Sequence, residues 1–315
     1  MTRPEGFVLA LSGGIGGAKL ALGLYRILPP GALTVVANTG DDFEHLGLSI
    51  SPDIDTLLYT LAGLDNPGLG WGRRDETWTF MAALERFGGE TWFSLGDGDL
   101  ATHVERTRRF AAAESLSQIT DDFRRRLGIS ARLLPMADDR VRTRLLTAAG
   151  WLDFQDYFVR QRCVPVVREI TFAGANEARP QPVFLAALAD KNLRAVVICP
   201  SNPFISIDPI LSLPGVREAL RACAAPVVAV SPIIGGTAVK GPTAKMMAEL
   251  GLPVDAAAVA RHYGEILDLY VAEETDAAEV RGLRVPVIFA RTLMLSLEDR
   301  EALARVVLEA AGRVF

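Results

Sequence analysis

The chain has 315 residues, half of them apolar and 23% charged, which excludes a disordered, collagen-like or staple-dependent polypeptide and suffices for one large or two modest cores. Its 33 Lys and Arg against 38 Asp and Glu give a formal charge of -5, which argues against wholesale binding to nucleic acid or to an anionic membrane. Only four of the basic residues are lysines (Lys19, Lys191, Lys240 and Lys245), so an anionic ligand has to meet a local positive site.

In chain order, the apolar run Phe7 to Leu11 is predicted to be a buried strand ending in Ser12-Gly13-Gly14-Ile15-Gly16-Gly17, followed by a helix with Leu20, Leu24, Ile27 and Leu28 on one face. A second strand, Leu33 to Ala37, runs into Asn38-Thr39-Gly40-Asp41-Asp42. Ser51 then suits the N-cap and Pro52 the first position of a helix whose apolar face is Ile54, Leu57, Leu58 and Leu61. Thr91 to Leu95 reads as a third strand, ending at Gly96-Asp97-Gly98-Asp99 and leading to a helix with His103 and Arg106 on one face. From about Phe110 to Arg179 the alternation breaks, around a basic helix at Asp121 to Leu127. Strands return at Arg194 to Cys199, before Pro200-Ser201-Asn202-Pro203, and at Pro226 to Val230, before Ser231-Pro232-Ile233-Ile234-Gly235-Gly236; an amphipathic helix from Ser296 closes the chain. The expected fold is α/β, a Rossmann-like mostly parallel sheet from residues 1–110 and 180–315, with an inserted, largely helical subdomain at 111–179 that covers the site. Cys163, Cys199 and Cys223 are odd in number and far apart, and no apolar run approaches the roughly 18 residues of a membrane span, so a cytoplasmic protein with reduced thiols is expected.

In such a sheet, ligands bind beyond the carboxyl ends of the strands. The Gly13 to Lys19 turn offers backbone amides and a helix N-terminus to a phosphate, although it is neither a Walker A loop nor a full dinucleotide fingerprint; the plain reading is a tight turn that needs small residues. Lys240 and Lys245, close behind Gly235 and Gly236, read as further phosphate contacts or as a solvated pair. Ser201 and Asn202 offer hydrogen bonds to a base or ribose, or form a rigid turn. Asp41, Asp42, Asp53 and Asp55 make an oxygen-rich set of the kind that holds Mg²⁺ through water and substrate phosphate, although Asp53 also suits a helix dipole. Asp97 and Asp99 are a weaker diphosphate signature, with an N-cap at Asp99 as the alternative, and His103 with Arg106 suit a cover over an anionic substrate. His262 reads as a surface or partly buried helix residue.

Together these segments resemble the 2-phospho-L-lactate transferase family of coenzyme F-420 biosynthesis. The resemblance is carried by LSGGIGGAKL at 11–20, NTGDD at 38–42, SPDIDTLLYTL at 51–61, GWGRRDETW at 70–78 and LGDGDLATHVERT at 95–107. It continues through LPMADDRVRT at 134–143, FQDYFVR at 154–160, CPSNPFISIDPIL at 199–211 and SPIIGGTAVKGPTAKMM at 231–247. It implies a Mg²⁺-dependent transfer of a phospho-acyl group from a guanylylated three-carbon acid to the ribityl hydroxyl of the deazaflavin 7,8-didemethyl-8-hydroxy-5-deazariboflavin (Fo), with release of GMP. Asp53 and Asp55 would be catalytic and would share the metal with Asp41 and Asp42. Ser12, Gly13, Gly14, Gly16, Gly17, Lys19, Ser201, Asn202, Gly235, Gly236, Lys240 and Lys245 would hold the guanine nucleotide. Asn38, Asp97, Asp99, His103 and Arg106 would face the acceptor or the donor acid. Gly98 stands where the family commonly has arginine, which leaves lactyl, enolpyruvyl and glyceryl donors open. The competing reading is a non-catalytic nucleotide or nucleotide-sugar binding regulator of the same superfamily, with a sugar or nucleotidyl transferase third. A homodimer is expected.

Overall fold

The structure is a computed structural model that describes residues 6–66, 68, 71–238 and 241–313. Its strands are β1 (Phe7–Ser12), β2 (Leu33–Ala37), β3 (Phe43–His45), β4 (Leu48–Ile50), β5 (Arg132–Pro135), β6 (Arg142–Thr147), β7 (Gly150–Asp153), β8 (Glu169–Ala173), β9 (Leu193–Ile198), β10 (Val227–Val230), β11 (Ile233–Ile234), β12 (Thr237–Ala238), β13 (Leu269–Ala272) and β14 (Val287–Phe289). The α-helices are α1 (Gly14–Ile27), α2 (Pro52–Leu61), α3 (Thr79–Arg86), α4 (Asp97–Ala111), α5 (Leu116–Arg126), α6 (Pro182–Leu188), α7 (Asp208–Leu211), α8 (Val216–Ala222), α9 (Thr243–Glu249), α10 (Ala256–Tyr263) and α11 (Leu297–Ala311).

Seven strands form one parallel sheet in the order β14-β13-β10-β9-β1-β2-β5. The inner strands β1, β2, β10 and β13 are short and almost wholly buried because both of their faces are covered, as in parallel sheets generally, whereas the edge strand β14 is only partly covered. Along β1, Leu9 and Leu11 point into one core with α6, α8 and α10, while Val8 and Ala10 point into the other with α1, α2 and α11. From β1 the chain moves to β2 on one side and later returns to β9 on the other. The topological switch therefore lies between β1 and β9, where the two following loops part and leave a crevice. The final helix expected from Ser296 is α11, and Ser296 closes a capping box with Asp299 at its start. No helix among the described residues is long and apolar enough to cross a membrane.

Two expectations change. Residues 111–179 are not largely helical: α5 is followed by β5, which belongs to the central sheet, and by the three-stranded antiparallel sheet β7-β6-β8. The period-two burial along β6 is the cause, since alternate residues face the core and solvent. Thr91 to Leu95 is not a strand, because β5 takes the sheet edge beside β2. Trp92 and Phe93 pack instead against Phe43 and His45 of the β3–β4 hairpin, with ring centroids 4.8 to 6.0 Å apart.

Candidate active site

At the carboxyl ends of β1, β2, β9 and β10, a cavity of about 580 Å³ opens over the switch point. Gly13, Gly14, Ile15, Gly16 and Lys19 form one wall, Pro200, Ser201 and Asn202 another, and Asp41, Asp53, Asp55 and Asp99 contribute carboxylates. Aromatic rings of Tyr59, Trp71, Phe93, Phe154 and Phe158 line the same space. A cavity of this size accommodates a cofactor-sized ligand, and the mixture of few polar anchors with apolar rings is typical of such sites.

The glycines of the first turn are needed for close approach. A Cβ on Gly16 would lie 2.4 Å from the Pro200 carbonyl oxygen, and one on Gly17 would lie 2.4 and 2.5 Å from the hydroxyls of Ser12 and Ser201. α1 therefore begins directly against the β9 loop, and its positive end faces the cavity. Ser12 is fully buried beneath it and is not a cavity residue; its hydroxyl has no hydrogen-bond partner.

Asp53 sits in the first turn of α2, where Pro52 fixes the helix start and the Ser51 hydroxyl donates to Asp42 (2.8 Å) rather than capping the helix. Asp53 accepts from the Gly14 amide (2.7 Å) and from Asn38 Nδ2 (2.9 Å). One carboxylate thus ties the start of α1 to the end of β2, and Asn38, buried itself, acts by orienting Asp53. Burial raises the Asp53 pKa to about 6 and the Asp42 pKa to about 7. Asp41 is pushed well above the usual carboxylate range by burial and by its neighbour Asp53, and its Oδ1 has no hydrogen-bond partner.

Asp55, two residues on, faces a different partner. Both of its oxygens accept from the guanidinium of Arg106, one of them at 3.1 Å. Arg106 is fully buried and also reaches the Ser49 carbonyl (3.3 Å) and His103 Nδ1 (3.3 Å). His103 Nε2 lies 3.1 Å from Asp99, which also accepts from the Tyr59 hydroxyl (2.6 Å). Arg106 is therefore not a cover over substrate; it is the buried counter-ion of Asp55.

Other expected residues separate in the same way. Asp97 lies on the outside, where it accepts from Thr77 Oγ1 and from the amides of Thr79 and Phe80 at the start of α3. Lys245 does not line the cavity: it pairs with Glu249 and donates to the Pro165 carbonyl (2.8 Å), because one turn of α9 places cation and carboxylate side by side. Gly235 donates to Asp276 (2.7 Å), and neither Gly235 nor Gly236 reaches the cavity wall. Lys19 lines the cavity and donates to the Met294 carbonyl (2.9 Å). Ser201 accepts from the Gly13 amide (3.3 Å), and the Asn202 oxygen caps the turn at Phe204 and Ile205. Lys240 lies outside the described residues. His262, partly exposed, bonds Asp208 (2.7 Å) as a helix surface residue. Sequence reasoning missed Tyr59, one turn after Asp55, and the Phe154–Phe158 pair, stacked at 5.2 Å; their i, i+4 spacings were the available signal.

Three buried carboxylates with raised pKa values have a consequence for stability. In the unfolded chain they ionise near pH 4, whereas in the fold they hold their protons to higher pH, so the stability they contribute is full at low pH and is lost as pH rises through the folded pKa values. Asp41→Asn removes one of these charges. In EDTA, its melting temperature relative to the unmodified protein is expected to rise as pH is raised from about 4 to about 8; a difference independent of pH would contradict the burial of Asp41 as an ionisable group.

Comparison with known proteins identifies the family. The family model for 2-phospho-L-lactate transferase CofD matches residues 8–292. The chain is 42% identical over 306 residues to a protein of Kitasatospora aureofaciens named phosphoenolpyruvate transferase, with 95% of each chain covered. It is 40% identical over 309 residues to one of the same name from Streptomyces coelicolor, with 96% of each covered. A third so named, from Mycobacterium tuberculosis, is 39% identical over 325 residues, with 95% of this chain and 96% of that one covered. Among solved structures, a UPF0052-family protein of Bacillus halodurans superposes with a TM-score of 0.64 at 14% identity, over 96% of this chain and 99% of that one, and so shares the fold. By the extent of the family match and the identity to these relatives along nearly their whole length, the chain belongs to the 2-phospho-L-lactate transferase CofD family.

Proposed function

We propose that the protein transfers a phosphoenolpyruvyl group from a guanosine diphosphate diester to the ribityl hydroxyl of Fo, releasing GMP in coenzyme F-420 biosynthesis. The observation that carries this reading is a single cavity in which a helix N-terminus and buried carboxylates meet a set of aromatic rings, in a chain about 40% identical to proteins named phosphoenolpyruvate transferase. Phosphoryl transfer needs positioning and charge neutralisation more than covalent catalysis.

Among the described residues, no group of three or more His, Cys, Asp or Glu side chains is arranged to hold a metal by itself. Mg²⁺, however, is often held by one or two carboxylates plus substrate phosphate. Asp41 and Asp53 fit that role: both line the cavity, the Asp53 carboxylate raises the cost of ionising Asp41, and Asp41 Oδ1 is without a partner. Asp42 and Asp55 fit it less well, since Asp42 does not line the cavity and Asp55 is matched by Arg106. When bound there, Mg²⁺ would neutralise charge on the donor diphosphate.

The chain's own groups then divide the work. The first turn of α1 faces the nucleotide phosphates, and Ser201 with Asn202 borders the same part of the cavity. Asp55, held by Arg106, accepts the hydrogen bond of the ribityl hydroxyl and takes its proton as oxygen bonds to phosphorus and the bridging P–O bond breaks. The aromatic side chains shield the reaction from water and offer flat surfaces to the deazaflavin rings. The test is mass spectrometry of the product formed from Fo and Mg²⁺ with lactyl, enolpyruvyl and glyceryl donors in competition. The enolpyruvyl product is expected to dominate. Equal use of all three would overturn the donor assignment, and nucleotide binding without GMP would favour a regulator.

A further inference from the structure

Glu76 lies outside the cavity wall, yet its carboxylate accepts from the backbone amides of Gly98 (2.7 Å) and Asp99 (2.8 Å) in the first turn of α4. Both oxygens thus meet donors that a helix start leaves unsatisfied, at the positive end of its dipole. The seat is shaped for this group. A Cβ on Gly96 would lie 2.3 Å from Glu76 Cδ, and one on Gly98 would lie 3.0 Å from Glu76 Oε1 and 3.3 Å from Arg73 Cζ.

The attachment is reciprocal. Asp97, beside that seat, caps the start of α3 through Thr77 (2.6 Å), Thr79 (3.2 Å) and Phe80 (3.0 Å), and its own amide donates to the Thr77 carbonyl (3.0 Å). Arg73 donates to the Gly98 carbonyl (3.3 Å) and stands over the Tyr59 ring at 5.6 Å. Trp71 and Gly72, immediately before these anchors, line the cavity, and the Trp71 ring rests edge-on to Trp78 at 6.3 Å.

We propose that Glu76 is a positioning residue for the transfer: seated between Gly96 and Gly98, it latches residues 71–78 onto α4 and so fixes the Trp71 wall of the cavity for the acceptor. The latch stands on geometry alone; the identity of the acceptor rests on the function proposed above. A side chain at 98 would press on the Glu76 carboxylate and the Arg73 guanidinium of the opposing segment and shift them within the seat.

The test uses the full chain with Glu76→Ala, Gly96→Ala and the double variant. Gly96 has φ −69° and ψ 154°, which alanine adopts without strain, so Gly96→Ala acts by displacing the Glu76 carboxylate. Loss of two charge-assisted hydrogen bonds is expected to speed tryptic cleavage after Arg73 and Arg74 about tenfold in either single variant, read by mass spectrometry, and no further in the double. KM for Fo is expected to rise about tenfold with kcat within about twofold, and Glu76→Gln to recover part of the loss. Cleavage at the original rate, or effects that add in the double variant, would overturn the latch. Faster cleavage with an unchanged KM for Fo would instead overturn the placement of the acceptor against Trp71.

Discussion

Asp53→Asn is expected to lower the rate of GMP release by about 10²- to 10³-fold while leaving the protein folded. Asp53 joins three parts of the site, through the Gly14 amide at the start of α1, Asn38 at the end of β2 and its own position at the start of α2. Asparagine can accept on one side only and turns an amide toward one of those two donors, so either α1 or Asn38 loses its partner. It also removes one of the two carboxylates proposed to hold Mg²⁺, and displacement of a phosphate-binding turn by a fraction of an ångström is costly in phosphoryl transfer. Steady-state release of GMP under saturating donor and Fo, with a melting curve as the control for folding, checks this. A rate within threefold of the unmodified protein would remove Asp53 from the catalytic set.

The second large effect concerns stability. Arg106→Met is expected to cost about 3–5 kcal/mol in urea unfolding, because it leaves the Asp55 carboxylate buried without its guanidinium. The Arg106→Met/Asp55→Leu pair is expected to recover most of that stability, since an apolar pair can replace a buried ion pair at little net cost, but to show no transfer activity. That pattern separates the structural and chemical uses of Asp55: as half of an ion pair it is replaceable, and only the proposed proton-accepting role requires its carboxylate. A cost below about 1 kcal/mol for Arg106→Met would show that water reaches Asp55 and that the clamp is weak. Activity in the double variant would exclude Asp55 as the group that receives the hydroxyl proton.

The residues that disappointed expectation did so for identifiable physical reasons. Lys245 reads as a phosphate ligand because it follows a glycine-rich loop, but Glu249 one turn later meets its charge, and it braces α9 against the segment that contains Pro165. Asp97 and Asp99 are two residues apart and read as a pair. On a helix start, however, they point apart: Asp99 reaches Tyr59 and His103 at the cavity, and Asp97 reaches α3. Arg106 and His103 do share a face of α4, but only His103 reaches the cavity; Arg106 packs inward against α2 and β4, where Asp55 and Ser49 hold it. The strand expected at 91–95 was lost to β5, a non-local competition that local pattern does not reveal.

By itself the sequence determined the parallel α/β core, the glycine-rich turn after the first strand, the helix start at Pro52 and the carboxylates gathered near it. These follow from local chemistry: apolar runs buried on both faces, glycine where a Cβ would strike the neighbouring loop, proline at a first helical turn. Tertiary structure alone decided which carboxylates face the cavity, which cations are already paired, and that β5 rather than residues 91–95 completes the sheet. Those outcomes depend on which groups from distant segments come within a few ångströms of one another, and charge pairing is set by that distance and by burial, not by separation along the chain. Glu76 is the clearest case: an acid in a loop, given its seat by two glycines and two amides some twenty residues away.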